Sequence, residues 1–531
     1  MLRPEDVTIE RLMAVDAGVW AVKHKILLDG RPFGFDKHEY QIDPMCCDAP
    51  AQCARKGAQI GWTSIKMLKT VHGLIHSRYP QGVLYLFPMK GDVTDFSKAR
   101  FSPLINDNPI IKAYVQDTDA VNIKRVGKAM LYFRGAKSTK KIGGTKASSS
   151  ALKSIPVDRI VFDEVDEMEP QMVELAEERV SHSDLKEFDW IGTPTIPDYG
   201  IDVKWNSSDQ RIREIRCRHC GRYTCMEREF EEHGWENQKV LRRVNGIVLR
   251  LCKYCGREIY PVDGIWTTTY KNRDLVGWWI SQLHSMLVDP TLILETFENP
   301  KRNIVETYNS KLGMPYIEAH NRLSLEEIYA LCSTYGIEDY CQRPCTMGVD
   351  QGKGLHVVIT RPEGTRPRIV HLGEYKDWEE LDGLMRGFRV ARCVVDAMPE
   401  TRNARAFADR FPGKVWMNYY VSTQKGRAIE DESAYTVRVN RTESLDWSHH
   451  QIKNGEIALP RQCGPVDDFA KHCHNVAKRL EEDELTGAKQ YIYVKLGPDH
   501  YRHAFNYECI ARQLMGDMTY NLDDCFRPRG G

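Results

Sequence analysis

Two segments constrain this chain more than any other: the glycine bend RKGAQIGWTS, Arg55 to Ser64, and, about a hundred residues on, DRIVFDEVDEM, where the apolar run Ile160, Val161, Phe162 ends in Asp163 and Glu164. So short an uninterrupted apolar run, bounded by charge, fits a strand buried on both faces. The surroundings agree. From about Pro50 to Pro197, runs such as GVLYLFPM alternate with helix-like stretches such as SIKMLKTVHGLIHSRY, the pattern of an α/β domain with a largely parallel sheet. Ligands of open α/β sheets bind beyond the carboxyl ends of the strands, where Asp163 and Glu164 stand.

A glycine bend before a helix lets backbone N–H groups approach phosphates, with a lysine as point charge and a Ser or Thr hydroxyl for Mg²⁺. Here Trp62 stands where that lysine usually follows the last glycine, and Gly57 and Gly61 are closely spaced. Arg55 and Lys56, upstream, are the two candidates for the missing charge; Thr63 is the expected metal-side hydroxyl and Ser64 the second choice. Taken alone, so altered a motif reads as readily as an ordinary glycine turn. The acidic couple shifts the balance: Asp163 suits a water-mediated Mg²⁺ contact and Glu164 the deprotonation of an attacking water, although carboxylates at a strand end also serve as turns or caps. A further strand-like run, Trp190 and Ile191, leads into Gly192, Thr193, Pro194 and Thr195, a small polar loop suited to sensing a γ-phosphate.

With 531 residues the chain is too long for one core, so two or three domains are expected. The expected division is an N-terminal helical segment over 1–35, an ATPase domain over 36–320 with a cysteine-bearing insertion at about 212–262, a linker over 321–343, and a second α/β domain over 344–531. Gly264 to Glu318, with GWWISQLHSML and ILETFENPKRNIVETYNSKLG, shows aromatics and a helical period and is expected to pack back on the first domain. A formal net charge of zero argues against a simple basic coat for nucleic acid. A local excess, Lys124, Arg125, Lys128, Arg134, Lys137, Lys140, Lys141 and Lys146, reads equally as a DNA track or a solvated loop. No apolar run approaches the roughly 18 residues of a membrane span, and MLRPEDVTIERLMAVDAG lacks the layout of a signal peptide, so an intracellular protein is expected.

The 16 cysteines are scattered and best read as reduced thiols, with one exception. Cys217-Arg-His-Cys220 and Cys252-Lys-Tyr-Cys255 are two CxxC knuckles, each followed by a glycine, Gly221 or Gly256. Two such pairs close a tetrahedral Zn²⁺ site, and four thiolates leave no open position, so a structural role is expected. His219 and Cys225 are substitutes that break the paired spacing.

In the second α/β region, TMGVDQGKGLHVVITR reads as strand, turn, strand with Asp350 ending the first strand, and CVVDAMPETRNARAFADRF puts Asp396 at the end of a later one. GPDHYRHAFNYECIARQL opens a helix with Asp499 in its first turn. RNase H-like nucleases gather separated carboxylates of this kind around two divalent ions. Singly, each aspartate is an ordinary turn or cap residue; Glu374, Asp468 and His500 are secondary candidates.

Together these segments resemble the phage terminase large subunit family, in its lambda-type, gpA-like branch, over about residues 35 to 515. In that branch the phosphate loop is similarly deviant, with its basic residue displaced upstream. Tyr40-Gln41 looks like the family's adenine-side motif, and LYFRGAKS resembles the stretch leading into the catalytic strand. The resemblance implies an ASCE-type P-loop ATPase domain with a zinc-knuckle insertion, followed by an RNase H-like nuclease domain. It implies ATP with Mg²⁺ at the first, and Mg²⁺ or Mn²⁺ at the second through Asp350, Asp396 and Asp499. Expected partners are double-stranded DNA, a small terminase subunit, the portal protein of the procapsid and further copies in a ring, expected as a pentamer, with no membrane and in the host cytoplasm. A helicase-nuclease or restriction-type translocase is the alternative; a zinc-stabilised virion protein without catalysis is the third reading.

Overall fold

The structure, a computed structural model, describes residues 8–136, 155–318, 321–352, 354–363, 366–421, 424–482 and 489–515. Two compact units divide at Tyr316 and Ile317. Lys137, Lys140, Lys141 and Lys146 of the basic stretch lie outside the described residues. Lys124 does not belong to a surface track: it is 2% exposed, with its ammonium 5.8 Å over the Phe101 ring.

In the first unit one sheet runs, in spatial order, Tyr223–Thr224, Arg211–Arg216, Val276–Ile280, Ala51–Lys56, Glu187–Gly192, Arg159–Asp163, Val83–Phe87, Ala129–Gly135, Ile123–Val126 and Val115–Ala120, with Gly264–Thr268 paired to Arg211–Arg216. The strands from Val276–Ile280 to Ala129–Gly135 are parallel. Alternate residues of the same strands feed different cores: Tyr85, Phe87 and Val161 enter one, Leu84, Leu86, Ile160 and Phe162 the other. Burial on both faces explains the unbroken apolar runs; each such side chain contributes on the order of 1.5–3 kcal/mol.

The helical period expected around GWWISQLHSML is not what forms. Val276–Ile280 is a fully buried strand beside Ala51–Lys56, followed by a single 3-10 turn, Gln282–His284; the α-helices, Pro290–Glu298 and Ile304–Leu312, form in the second stretch expected to be helical. A short apolar run does not reveal its period, and here its aromatic and β-branched residues pack on both faces of the sheet. Gly277 is required there, because a Cβ would sit 1.9 Å from Ser208 Oγ. The cysteine-bearing segment is also less detached than expected: Cys217, Met226, Phe230, Val248 and Cys252 share a buried cluster with Trp279 and Leu283.

The second unit carries a sheet in the order Arg368–Tyr375, Leu355–Arg361, Cys345–Gln351, Val390–Asp396, Val415–Tyr420, Thr436–Val439, Ile429–Asp431. The first three are antiparallel neighbours, and Cys345–Gln351, Val390–Asp396, Val415–Tyr420 and Thr436–Val439 run parallel. The helix His500–Gln513 crosses Cys345–Gln351 so closely that a Cβ on Gly348 would lie 2.0 Å from Ala504 O. The stretch 321–343, expected as a linker, is instead part of this unit. Its helix Leu325–Tyr329 starts from a Ser324/Glu327 capping box, and Leu323, Ile328 and Leu331 are buried against Ile457, Leu459 and Val466. Among the described residues no helix is long and apolar enough to cross a membrane.

Candidate functional site

The bend after Ala51–Lys56 turns through Gln59 and Gly61, both at positive φ, into the helix Trp62–Ile75, whose N-terminus offers unpaired N–H groups and a positive dipole end. Lys56 Nζ lies 2.6 Å from Glu164 Oε1 and donates to Thr193 Oγ1 at 3.2 Å, while the Thr193 N–H donates to Glu164 Oε2 at 2.9 Å. Thr63 Oγ1 donates to Asp163 Oδ1 at 3.2 Å. Hydroxyl and carboxylate oxygens so placed suit a hard cation such as Mg²⁺. Burial, with Glu164 beside it, raises the Asp163 carboxyl above its usual range. Burial acts the same way on Glu164, but Lys56 outweighs it and holds that carboxyl low. Glu164 itself sits at φ 59°, ψ 56°, a left-handed conformation costly for a side chain of this kind.

Several expected residues sit elsewhere. Arg55 points away from the bend: it is 3% exposed, bonds Asp202 Oδ1 at 2.8 Å, and lies 3.9 Å over the Trp279 ring and 4.7 Å over that of Trp205. Successive residues of a strand face opposite sides, so only one of Arg55 and Lys56 reaches the bend, and it is Lys56. Trp62 is buried, its ring 6.3 Å from Trp278. Tyr40 OH and Gln41 Nε2 both donate to the Ile60 carbonyl, at 3.0 and 2.9 Å, so these side chains brace the bend. Gly57 is needed for backbone packing, since a Cβ there would lie 3.0 Å from Ser310 O. The Gly57 and Ala58 N–H groups are taken by Ile280 and Ser310 carbonyls. Ser64 Oγ accepts from Arg100 Nη2 at 2.9 Å. Arg100, which carries no motif around it and was not among the expected residues, brings a guanidinium to the start of the helix.

The loop after Glu187–Gly192 is tied to the acidic turn a second time. Asp166 accepts from Thr195 N–H, Thr195 Oγ1 and Ile201 N–H, and burial nevertheless pushes its carboxyl up to about 7. Thr195 O accepts from the Tyr316 N–H at 3.2 Å.

Cys217, Cys220, Cys252 and Cys255 converge with all four sulfurs within 4.8 Å of one another, as the two knuckles require. In each, the glycine at positive φ, Gly221 or Gly256, donates its N–H back to the first cysteine's carbonyl at 2.9 Å. Burial opposes the Cys252 thiolate, but the N–H groups of Cys255 and Tyr254 bring it down to about 7, whereas the Arg257 N–H is outweighed at Cys255 by burial and the three neighbouring sulfurs, which push that thiol up to about 11. Four soft sulfurs in this spacing could hold Zn²⁺. Cys225 is buried instead against Glu227, and His219 is exposed.

In the second unit Asp396 ends one strand and Asp350 stands one residue before the end of its parallel neighbour, each one step past the paired Val349 and Val395. Burial, with Asp350 contributing, pushes Asp396 up to about 6; it accepts from Tyr507 OH at 2.8 Å. Asp350 accepts from His500 Nδ1 at 2.9 Å. Asp499 is the residue before the helix His500–Gln513 rather than in its first turn, and its carboxylate turns to Lys495 at 2.7 Å and His503 at 3.4 Å. Burial opposes that charge, yet His503 and Lys495 hold Asp499 below the usual range. The three aspartates are not a gathered cluster: among the described residues only the four cysteines and Glu229, Glu232 and His233 bring ligand atoms within 4.8 Å. Of the secondary candidates, His500 touches Asp350, Glu374 lies across from His356, and Asp468 is exposed beside Lys471.

Comparison with known proteins places this geometry. Residues 36–267 match the family described as phage terminase large subunit gpA, ATPase domain. No curated protein matches the chain. The crystal structure of the HK97 bacteriophage large terminase is 10% identical, with a TM-score of 0.54, over 94% of this chain and 99% of that one. The large terminase of the thermophilic bacteriophage D6E is 13% identical over 88% and 94%, at a TM-score of 0.32. The large terminase ATPase domain of Thermus phage P74-26 is 13% identical over 59% and 98%, at 0.31. The likeness to the HK97 protein is one of fold and spans both units, and the family match falls on the segment that carries Lys56, Asp163, Glu164 and Thr193. Residues 36–267, within the first unit, thus match the ATPase domain of the phage terminase large subunit gpA family, and the fold of the chain is similar to that of the HK97 large terminase.

Proposed function

We propose that this chain is a DNA-packaging motor: it hydrolyses ATP in the first unit to drive double-stranded DNA into a procapsid, and cuts concatemeric DNA with the second. The observation that carries the reading is the meeting of Lys56, Glu164 and Thr193 beyond the carboxyl ends of three neighbouring parallel strands. One strand, Glu187–Gly192, separates the phosphate-loop strand from the acidic one, which supports an ASCE-type P-loop domain.

In this reading the helix N-terminus and Lys56 hold the phosphates, and Lys56 leaves Glu164 to do so. The freed Glu164 takes a proton from the attacking water. Mg²⁺, held by Thr63 and Asp163, supplies charge neutralisation when bound. Arg100, next to Ser64, faces the same helix start and adds positive charge there. Loss of the γ-phosphate returns Lys56 to Glu164, and Thr193 carries the change into the loop Gly192, Thr193, Pro194, whose neighbour Thr195 holds the last residue of the first unit, Tyr316.

For the second unit, three antiparallel strands followed by parallel ones, with the Asp350 and Asp396 ends side by side, support an RNase H-like nuclease. Divalent ions there, Mg²⁺ or Mn²⁺, would activate water and stabilise the leaving oxygen of a phosphodiester. Asp350 and Asp396 are the primary ligands, and Asp499 joins them by leaving Lys495. The four cysteines hold a structural Zn²⁺. A small terminase subunit, the portal protein and a pentameric ring of this chain are the partners of such a motor, in the host cytoplasm. Purified protein, procapsids, linear duplex DNA and Mg-ATP test the reading: DNase-protected DNA should accumulate in proportion to phosphate released. ATP turnover without protected DNA, but with strand separation, would favour a helicase-nuclease.

A further inference from the structure

Asp166 lies two residues beyond Glu164 and takes no part in the chemistry above, yet it is heavily bonded. The residue is 1% exposed. Its Oδ2 accepts both the N–H and the hydroxyl of Thr195, each at 2.9 Å, and its Oδ1 accepts the Ile201 N–H at 2.7 Å. Two glycines make room for it: a Cβ on Gly200 would lie 2.3 Å from Oδ1, and one on Gly192 3.3 Å from the same atom. The carboxylate thus ties the turn after one strand to the turn after its neighbour.

A second tie runs parallel to it, from Thr193 N–H to Glu164 Oε2 at 2.9 Å. The two differ in accessibility. The Glu164 side chain is 40% exposed and engages Lys56, which a triphosphate would claim; Asp166 is closed off from any ligand. Glu164 also holds a left-handed backbone conformation that persists only when neighbours restrain it. Its neighbour Asp163 is fixed through Thr63, and Asp166, on the other side, through Thr195 and Ile201.

We propose that Asp166 is a positioning residue of the ATPase site: by holding Thr195 and Ile201 it keeps the 193–195 loop and the Glu164 backbone in register, so that Glu164 meets its water and the loop moves as one body when the Lys56–Glu164 pair opens. The inference rests on the ATPase reading of Lys56 and Glu164. It distinguishes two neighbouring carboxylates by task, one reacting and one holding the frame.

Asp166→Asn is the informative variant, because its amide oxygen still accepts from Ile201 while its NH₂ cannot accept from the Thr195 N–H. With the full chain and Mg-ATP, phosphate release and nucleotide binding are measured together, alongside the thermal midpoint. The expected result is a kcat at least about 10-fold lower, with the ATP KM within roughly 3-fold and the fold retained, since misplacing a catalytic group by about 1 Å costs up to about 100-fold in rate. Unchanged kcat overturns the inference. So does a parallel loss of kcat, nucleotide affinity and thermal midpoint, which marks a purely structural carboxylate. If the parent itself turns over no ATP, the ATPase reading fails instead, and the two failures are told apart by that control.

Discussion

Replacing the two basic residues at the end of Ala51–Lys56 one at a time separates folding from catalysis. In Arg55→Met the buried Asp202 loses the guanidinium 2.8 Å from its Oδ1 and keeps only the Asp198 N–H at 2.9 Å and Asn206 Nδ2 at 3.1 Å. Leaving one member of a buried pair uncompensated costs about 3–5 kcal/mol. Arg55 Nε and Nη2 find no acceptor in the parent, so part of that cost is already present and the lower end, about 3 kcal/mol, applies. At roughly 2–4 °C per kcal/mol for a large domain, the thermal midpoint should fall by about 6–12 °C. In Lys56→Met the carboxylate left behind is 40% exposed, so water screens it and the cost is about 1 kcal/mol or less. Its ATP turnover, however, should fall at least about 100-fold, the loss of one preorganised charge at the reacting phosphate. Differential scanning fluorimetry and phosphate release read both variants. A parent-like midpoint with lost turnover in Arg55→Met, or the reverse pattern in Lys56→Met, refutes this division of labour.

Asp350→Asn should abolish metal-dependent plasmid cleavage while ATP turnover stays within about 2-fold of the parent; equal cleavage by variant and parent removes Asp350 from the metal site. Elemental analysis should find about one Zn per chain, lost in Cys217→Ser together with stability; a metal-free protein of unchanged stability defeats the assignment. Burial raises Asp166 from 3.8 to about 7, so the folded chain holds that proton more tightly than the unfolded one. The stability this contributes is complete below about pH 4 and is lost as pH rises through about 7. Denaturant unfolding should therefore show the parent losing stability relative to Asp166→Asn over that range; a difference independent of pH contradicts the burial argument.

Much of the candidate site in the first unit was legible because its signals are local. The buried run Ile160 to Phe162 predicts both the strand and the carboxyl end on which Asp163 and Glu164 stand. The four cysteines were legible for the same reason, since CxxC spacing is set within one turn. What sequence left open was decided by pleat and packing. Lys56 and Arg55 are adjacent in sequence and on opposite faces of the strand, and only the partners, Glu164 for one and Asp202 with two tryptophans for the other, tell them apart. Tyr40 and Gln41 brace the Ile60 carbonyl through contacts about 20 residues away, and Arg100 reaches Ser64 from a segment without a motif. Val276–Ile280 forms a strand where a helical period is expected, because five residues carry too little period to separate strand from helix. The stretch 321–343 lies between the two expected domains, and Leu323, Ile328 and Leu331 find there a core whose partners Ile457, Leu459 and Val466 stand more than a hundred positions later.

Glu164→Gln gives the central test. Gln preserves the shape but cannot accept from Lys56 and from the Thr193 N–H with the same two atoms, and it cannot take a proton from water. Steady-state phosphate release with Mg-ATP and duplex DNA, measured beside nucleotide affinity, should show turnover lowered by roughly 100- to 10,000-fold with ATP bound as in the parent. Turnover within about 3-fold of the parent contradicts the proposed role of Glu164 as the base of ATP hydrolysis.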